Sequence, residues 1–455
     1  MRPWPRPLAV IAAGVALILL CGSGACSVSD GQLGRIHSVV VVDGGAACGL
    51  VSPLVRVQGR PTCTGRLASS YLSNALCACG NVQLASSLLT RGFDSRHGPF
   101  TEDQPDQGGA SVGVNGSYIS YAAADIGGSF SIAGPEDVMF RGALGVRGDL
   151  WVAGNVVTIG TASVARNAWF GGNYVGLGVL TVAGALHHGG TVTAVTVPKP
   201  GSDFPGPVVV PKPCPCEPRD LLDVGAIVEA ARLDNDNGTL GIAADKFASV
   251  TGTAEWTLPC GRAFLSGIGV IGSLTVHVTG MSAIFIDDSI TVGGSLLFDV
   301  APGAEIDVFV RRDVGALGRI ALSSKDRPSA GRLWVGGSQP ISLAGPWVGN
   351  LYAPHAMVAA NVLLDVWGSI FANEYSGDFV TSVRFDRSIA FAGATCDAAQ
   401  PAAGECNQCG VCSGGNACVS GACGACVADT DCCSLSICAN GTCAPWLDLQ
   451  SGQGP

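Results

Sequence analysis

Five carboxylates between residues 287 and 307 are the side chains of this chain best suited to acid–base chemistry. They are Asp287, Asp288, Asp299, Glu305 and Asp307. Carboxylates that line one face of a β-helix can supply the acid and the base that cleave a polysaccharide. Acidic residues on exposed strands also prevent edge-to-edge aggregation, which is their commoner use. The sequence has no G-x-S-x-G, H-E-x-x-H or phosphate-loop motif. We therefore predict no catalytic residue and no enzyme activity.

Two further groups have the residue types of metal ligands. Asp234 and Asp236 resemble the start of a calcium loop, but the distal glutamate of such a loop is missing, which favours a turn that ends a helix. The C-x-x-C pairs of the tail would suit zinc in a cytosolic protein, whereas disulfides are expected behind an export signal. We predict no metal and no cofactor. A calcium-stabilised module stays as an alternative hypothesis.

Six-residue blocks form the scaffold that would position such groups. Nine of them follow one another over residues 142–195, and glycine opens all but the one that begins at Arg166. The blocks read GALGVR GDLWVA GNVVTI GTASVA RNAWFG GNYVGL GVLTVA GALHHG GTVTAV. This period predicts a β-solenoid, and its even number keeps the third and fifth positions of every block pointing inward.

Trp151, Trp169 and His187 are the candidate binding residues. If three blocks make one coil, residues 18 apart stack, and these three form an outward ladder that could grip a sugar ring or a partner surface. Packing beneath another part of the chain is the alternative. Acyltransferases of the hexapeptide-repeat family use a histidine as base, so His187 and His188 are compared with it. The glycine of the blocks stands at a different position relative to the inward apolar residue than in those enzymes. We therefore favour a role of the two histidines in the end cap of the solenoid.

The N-terminus predicts export. Residues 1–25 combine Arg2 and Arg6 with an apolar run from Leu8 to Leu20, which is typical of a signal peptide. Ser23-Gly24-Ala25 before Cys26 resembles a bacterial lipobox, although leucine usually stands where Ser23 does. The resemblance implies a lipid on Cys26, whereas the small residues at Ser23 and Ala25 also suit a plain signal-peptidase site that cuts at the same bond. The net charge of −10 argues against nucleic-acid binding.

Twenty cysteines fit an oxidising destination. Eighteen remain as disulfide candidates after Cys21 and Cys26 are set aside. The four near the N-terminus could form two bridges. The middle and tail groups have odd numbers, so either one bridge joins them or one thiol is free. The candidates are Cys48, Cys63, Cys77, Cys79, Cys214, Cys216, Cys260, Cys396, Cys406, Cys409, Cys412, Cys418, Cys423, Cys426, Cys432, Cys433, Cys438 and Cys443.

Composition predicts a mainly β chain in six segments. After the signal come a cysteine-containing segment (26–108), the hexad solenoid (109–197), a proline-rich linker (198–218), a helix plus β-rich domain (219–392) and a disulfide-rich tail (393–455). The amphipathic pattern from Arg219 to Leu233 predicts the helix. The linker is expected to separate two β units.

The resemblance to known proteins that is most informative about the fold lies in residues 215–392. The strands GNLYAPHAMVAANVLLDVWGSIFANEYSGDFVTSVRFDRSI and SLTVHVTGMSAIFIDDSITV are similar to an uncharacterised domain of bacterial surface, pilus-assembly-associated and adhesin-like proteins. The hexads are similar to bactofilin-type polymerising solenoids, which are cytoplasmic. The first resemblance implies a secreted, strand-rich, anchored protein, whereas the predicted export argues against the cytoplasmic scaffold function of the bactofilins. We predict a location at the outer membrane or cell surface of a Gram-negative bacterium, or in the extracellular space. We predict a structural or adhesion role, with envelope or matrix polysaccharide or a surface protein as partner and membrane contact only through the anchor. A secreted polysaccharide lyase or hydrolase is the alternative.

Overall fold

The computed structural model describes residues 52–196 without 59 and 105, residues 202–392, and short tail segments at 417–419, 422–425, 436–439 and 442–445. The signal segment, Cys26, Cys48 and most of the tail lie outside the described residues, as do Cys396, Cys406, Cys409, Cys412, Cys426, Cys432 and Cys433. Their predicted roles stay predictions.

Parallel strands wind into a β-solenoid of about 13 coils, which confirms the predicted fold class. Each full coil contributes three strands, which stack on those of the neighbouring coils to give three faces. We name these the ion-pair face, the covered face and the uncharged face. Three long strands turn corners and belong to more than one face, namely Tyr174–Val182, Trp347–Ala360 and Leu364–Gly377.

The remaining strands of each face stack in the following order. The ion-pair face contains Thr253–Leu258, Ser273–Val278, Ser295–Val300, Arg319–Ala321, Thr381–Asp386, Leu88–Phe93, Ala124–Ile126, Leu144–Val146 and Ala162–Val164. The covered face contains Gly261–Leu265, Met281–Ile286, Glu305–Val310, Gly331–Val335, Leu76–Ala78, Val112–Val114, Phe130–Ile132, Leu150–Val152, Ala168–Phe170, Ala185–His188 and Ser202–Pro205. The uncharged face contains Ile268–Val270, Ile290–Val292, Val314–Ala316, Ile341–Leu343, Val82–Leu84, Tyr118–Ser120, Val138–Phe140, Val156–Thr158 and Val192–Thr196.

One coil in the middle of the stack is assembled from distant parts of the chain. Thr381–Asp386 supplies its ion-pair strand, whereas Leu76–Ala78 and Val82–Leu84 supply the other two. The coils of residues 88–205 extend from it in one direction, and those of residues 253–377 approach it from the other. The two β segments on either side of the linker are therefore one continuous stack rather than separate units. Each of the two β segments ends in a strand edge with unpaired backbone groups. The backbone N–H and C=O groups of the two edges pair with each other where the segments meet.

The hexads match the coil geometry. Three blocks make one coil, so Trp151 pairs with Trp169, and Trp169 pairs with His187. Corner side chains stitch successive coils together: Asn167 N donates to Asp149 Oδ1 at 3.0 Å, and Ala185 N donates to Asn167 Oδ1 at 2.8 Å. The inward positions are buried, namely Leu144, Val146, Leu150, Val152, Val156, Thr158, Ala162, Val164, Ala168 and Phe170.

Helices are short and lie outside the coils. They are α1 (Thr64–Tyr71), α2 (Val224–Leu233) and α3 (Asn237–Leu240), with 3-10 turns at Ser95–His97, Pro328–Ala330 and Arg387–Phe391. Helix α2 begins later than the predicted start at Arg219, because the Asp223 side chain caps it by accepting a hydrogen bond from Ala226 N at 2.9 Å. Within the described ranges, no helix has the length and apolar character needed to cross a membrane.

Antiparallel hairpins complete the described structure. One joins Leu54–Val57 to Arg60–Cys63. Two lie in the tail, where Ala417–Val419 pairs with Ala422–Gly424 and Ser436–Ala439 pairs with Thr442–Pro445.

Two disulfides correct the expected grouping of the cysteines. Cys77 is bonded to Cys214, and Cys79 is bonded to Cys216, so the N-terminal group does not pair entirely within itself. The reason is that the linker passes over the strand that carries Cys77. Cys63 and Cys260 are disulfide-bonded as well.

Candidate functional site

Trp151, Trp169 and His187 form the predicted ladder, but it lies on the covered face. The ring centroids of Trp151 and Trp169 are 3.5 Å apart with an interplanar angle of 3°. His187 lies 5.3 Å from Trp169, and Phe204 lies 4.9 Å from His187. Trp151 is 2% exposed and Trp169 is 8% exposed. The interpretation of the tryptophans as an open binding face is therefore corrected to a packing ladder.

Residues 206–216, which we name the return strap, account for this burial. The strap leaves the last strand of the covered face beyond Phe204, and Cys214 is bonded to Cys77 in the central coil. Gly113 of the next coil lies against Pro213 and Cys214, since a Cβ built on it would be 3.0 Å from both. Five coil spacings of about 4.8 Å separate the rows of Phe204 and Gly113, and nine extended residues at about 3.1 Å each span that distance. The strap therefore follows the ladder.

The same outward row continues as aromatic residues in the C-terminal coils. Phe285 and Phe309 are 5.3 Å apart, Phe309 and Trp334 are 5.8 Å apart, and Trp334 and Tyr352 are 5.4 Å apart. The segment before α2 closes over them, since Leu222 N donates to the Tyr352 hydroxyl at 2.9 Å. Burial raises the pKa of Tyr352. Sequence inspection missed this row because its spacing varies from coil to coil.

The five carboxylates do not converge on one site. Asp287 and Asp288 contact Arg311 and Arg312 at 2.9 and 3.4 Å, and Asp299 contacts His277 at 3.0 Å. Asp307 and Glu305 hold the fully buried Arg332 at 2.7 and 2.8 Å. Burial by itself lowers the pKa of Arg332, but the attraction of Asp307 and Glu305 outweighs it and raises the pKa. Four of the carboxylates thus have an arginine partner, and Asp299 contacts a histidine.

His187 and His188 lie near one end of the described coils. His188 Nε2 lies 3.1 Å from Asp203 Oδ1 on the last covered strand, and burial lowers the pKa of His187. Both histidines contact Ser202–Pro205, since His187 stacks on Phe204. This placement supports the end-cap interpretation.

Asp234 and Asp236 bind an arginine. Arg262 donates to both carboxylate oxygens of Asp234 at 2.9 Å, and Arg262 N donates to Asp236 Oδ2 at 2.7 Å. The Arg262 hydrogen bonds lower the pKa of Asp234. Among the described residues, no three His, Cys, Asp or Glu side chains are grouped as metal ligands.

The uncharged face remains as the open surface. The middle residue of each of its strands points outward, and nine of these are in register: Ser342, Ala359, Ser376, Gln83, Ile119, Met139, Val157, Val175 and Thr193. Gly269, Thr291 and Gly315 are in register with one another in the coils beyond Ser342, and we count them as the continuation of this row. No residue in this row carries a charge. Among the described residues, no strap crosses this row and no ion pair lies in it, in contrast to the other two faces.

This row has two chemically different halves. The hydroxyl half, from Gly269 to Gln83 in stacking order, contains small, hydroxyl and amide residues. The apolar half contains Ile119, Met139, Val157 and Val175, and Tyr121, Ile159 and Leu177 are exposed at its edge by 55%, 45% and 66%. Sequence reasoning missed the face because nine of its twelve outward residues lie outside the hexad blocks of residues 142–195, and most of these join the row only through the composite coil.

One part of the chain is similar to a described domain family. Residues 220–391 match a family model described as a domain of unknown function, DUF7305. This range coincides with the segment singled out by resemblance. No curated protein matches the chain. Among solved structures, an ice-binding protein from an Antarctic bacterium, Flavobacteriaceae, is 11% identical, and the alignment covers 70% of this chain and 98% of that chain with a TM-score of 0.16.

Proposed function

We propose that the protein is an exported, non-catalytic structural or adhesion protein that binds uncharged polysaccharide through the hydroxyl half of its uncharged face. The observation that carries the proposal is the charge-free row itself. Twelve outward positions lack a charge on a chain whose net charge is −10. When a neutral ligand covers an uncharged surface, no charged side chain loses its hydration, so binding carries no desolvation penalty for an unpaired charge.

The side chains of the hydroxyl half suit sugar. Thr291, Ser342, Ser376 and Gln83 offer hydroxyl and amide groups that both donate and accept hydrogen bonds. Gly315 leaves room for the flat side of a ring, since a Cβ built on it would meet no atom closer than 4.0 Å. The strand spacing of about 4.8 Å repeats these groups along the face, which suits a long, repetitive ligand.

Export is supported by the cysteine chemistry. The Cys77–Cys214 and Cys79–Cys216 disulfides tie the return strap to the coils. Such bonds persist in oxidising compartments outside the cytoplasm. They agree with the predicted signal segment and with a cell-surface or extracellular location.

Co-sedimentation tests the proposal. Purified protein is mixed with insoluble neutral glucans (microcrystalline cellulose and curdlan) and with an insoluble acidic gel of pectate, and the supernatants are assayed for reducing ends and unsaturated sugars. We expect the protein to sediment with at least one neutral glucan and to release no sugar. Release of new reducing ends or unsaturated products would instead favour the polysaccharide-active enzyme. Sedimentation with pectate alone would contradict the neutral-ligand proposal.

A further inference from the structure

The hydroxyl half of the uncharged face has an internal period of two coils. Its first position, Gly269, is covered, because a Cβ built on it would lie 2.5 Å from the backbone oxygen of Ala248. Beyond it, hydroxyl and small side chains alternate before a final amide. In stacking order these positions are Thr291, Gly315, Ser342, Ala359, Ser376 and Gln83. Because the coils are about 4.8 Å apart, the hydroxyl groups recur about every 9.6 Å along the row.

The three hydroxyl groups of this row are available to a ligand. Thr291 is exposed, and Ser342 and Ser376 are half-buried. Within the described ranges, none of these three hydroxyls is hydrogen-bonded to another residue. In contrast, the buried Thr90 hydroxyl donates to Ala110 O at 2.7 Å. Each hydroxyl of the row can therefore donate a hydrogen bond to a bound molecule and accept one from it.

We infer that the ligand is an extended, neutral β-1,4-linked glycan that lies along the solenoid axis, with one two-sugar repeat for every two coils. This inference rests on the proposed function and names the class of polysaccharide. Successive sugars of such a chain are turned by half a turn, so every second sugar presents the same hydroxyl groups to the surface. Thr291, Ser342 and Ser376 stand at every second coil, so they meet equivalent sugars. The sugars between them lie over the small residues Gly315 and Ala359.

The period of the row also discriminates against other neutral chains. β-1,3-linked and α-1,4-linked glucans wind into helices, so their sugars do not return to the same side at every second unit. A helical chain would meet the hydroxyls of this row only at separated points. The six open positions from Thr291 to Gln83 span about 24 Å, and an extended chain of six sugars, one to a coil, covers them.

Isothermal titration calorimetry of the full chain with three neutral hexasaccharides tests the inference. The ligands are cellohexaose (β-1,4), laminarihexaose (β-1,3) and maltohexaose (α-1,4). We expect cellohexaose to bind at least about tenfold more tightly than either of the others, equivalent to about 1.4 kcal/mol. Cellotriose covers only half of the row, so it should bind more weakly than cellohexaose.

A variant that breaks the alternation supplies the second measurement. Gly315→Thr places a branched side chain where the intervening sugar lies, and it should weaken the binding of cellohexaose at least about tenfold. The matched control Gly145→Thr adds the same side chain on the ion-pair face, where the atom nearest to a Cβ is Asp125 Oδ1 at 3.3 Å. This control should bind as wild type. Thermal melts verify that both variants are folded.

Three outcomes overturn the inference. The first is a failure of cellohexaose to bind. The second is equal or tighter binding of laminarihexaose or maltohexaose, and the third is unchanged or tighter binding of cellohexaose by Gly315→Thr. Sedimentation of the protein with a neutral glucan would leave the proposed function standing in each of these cases. If the protein binds neither the hexasaccharides nor the insoluble neutral glucans, the proposed function fails together with the inference.

Discussion

Trp169 lies parallel to Trp151 with 3.5 Å between the ring centroids, at paired positions of adjacent coils. Both rings point away from the solenoid interior, yet both are buried. The return strap turns this outward row into a second core. The covered face is thereby removed from ligand binding, and the uncharged face is left open.

Removing one ring of this ladder should destabilise the protein. We expect Trp169→Ala to lower the free energy of unfolding by about 3–5 kcal/mol, because the cavity beneath the strap cannot collapse between its neighbours. Urea denaturation measures the change. Ser163→Ala, an exposed site of the same coil, should change it by less than about 0.5 kcal/mol. Equal unfolding midpoints for the two variants would mean that Trp169 is not packed.

The strap disulfides should contribute separately. Peptide mapping of the unreduced protein should recover Cys77 linked to Cys214 and Cys79 linked to Cys216. We expect the variant that replaces all four cysteines, Cys77→Ser, Cys79→Ser, Cys214→Ser, Cys216→Ser, to lose about 2–5 kcal/mol of stability, since the two bonds together close one long loop of the unfolded chain. The loss should disappear when wild type and variant are compared in the reduced state. A Cys77–Cys79 linkage in the map would contradict the structure.

The corner glycines should tolerate no side chain. A Cβ on Gly154 would lie 2.1 Å from the backbone oxygen of Glu136, whereas one on Gly345 meets nothing within 4 Å. We therefore expect Gly154→Ala to cost about 1–3 kcal/mol or more, and Gly345→Ala to be nearly neutral. Thermal melts of the two variants provide the comparison. Equal melting temperatures would show that the corner can open.

The hexads contain enough information to predict their own fold, but not the partners of their edges. Even period, corner glycine and inward apolar positions are local features, so the coil length and the Trp151–Trp169 register follow from the sequence. The pairing of Leu76 with Ile370 has no local signal, because it joins strands far apart in the chain. The uncharged face depends on that pairing. For the same reason, the sequence presents the linker as a spacer although the structure uses it as a cover.

Metal removal should leave the stability unchanged. Asp234 and Asp236 are occupied by Arg262, so calcium has no vacant carboxylates there. We expect the same melting temperature with EDTA and with millimolar calcium. As a positive control, Asp234→Asn should lower the melting temperature in both solutions, because it weakens the contact with Arg262. A fall of several degrees with EDTA alone would favour the calcium-stabilised module.

The most direct test of the proposed function is a binding isotherm on microcrystalline cellulose for charged variants of two faces. Thr291→Lys, Ser342→Lys places charges in the hydroxyl half, and Thr275→Lys, Ser382→Lys places the same charges on the ion-pair face. We predict at least about a tenfold loss of affinity for the first pair, or about 1.4 kcal/mol, and wild-type affinity for the second. Equal affinities for the two pairs would contradict the assignment of the uncharged face as the contact surface.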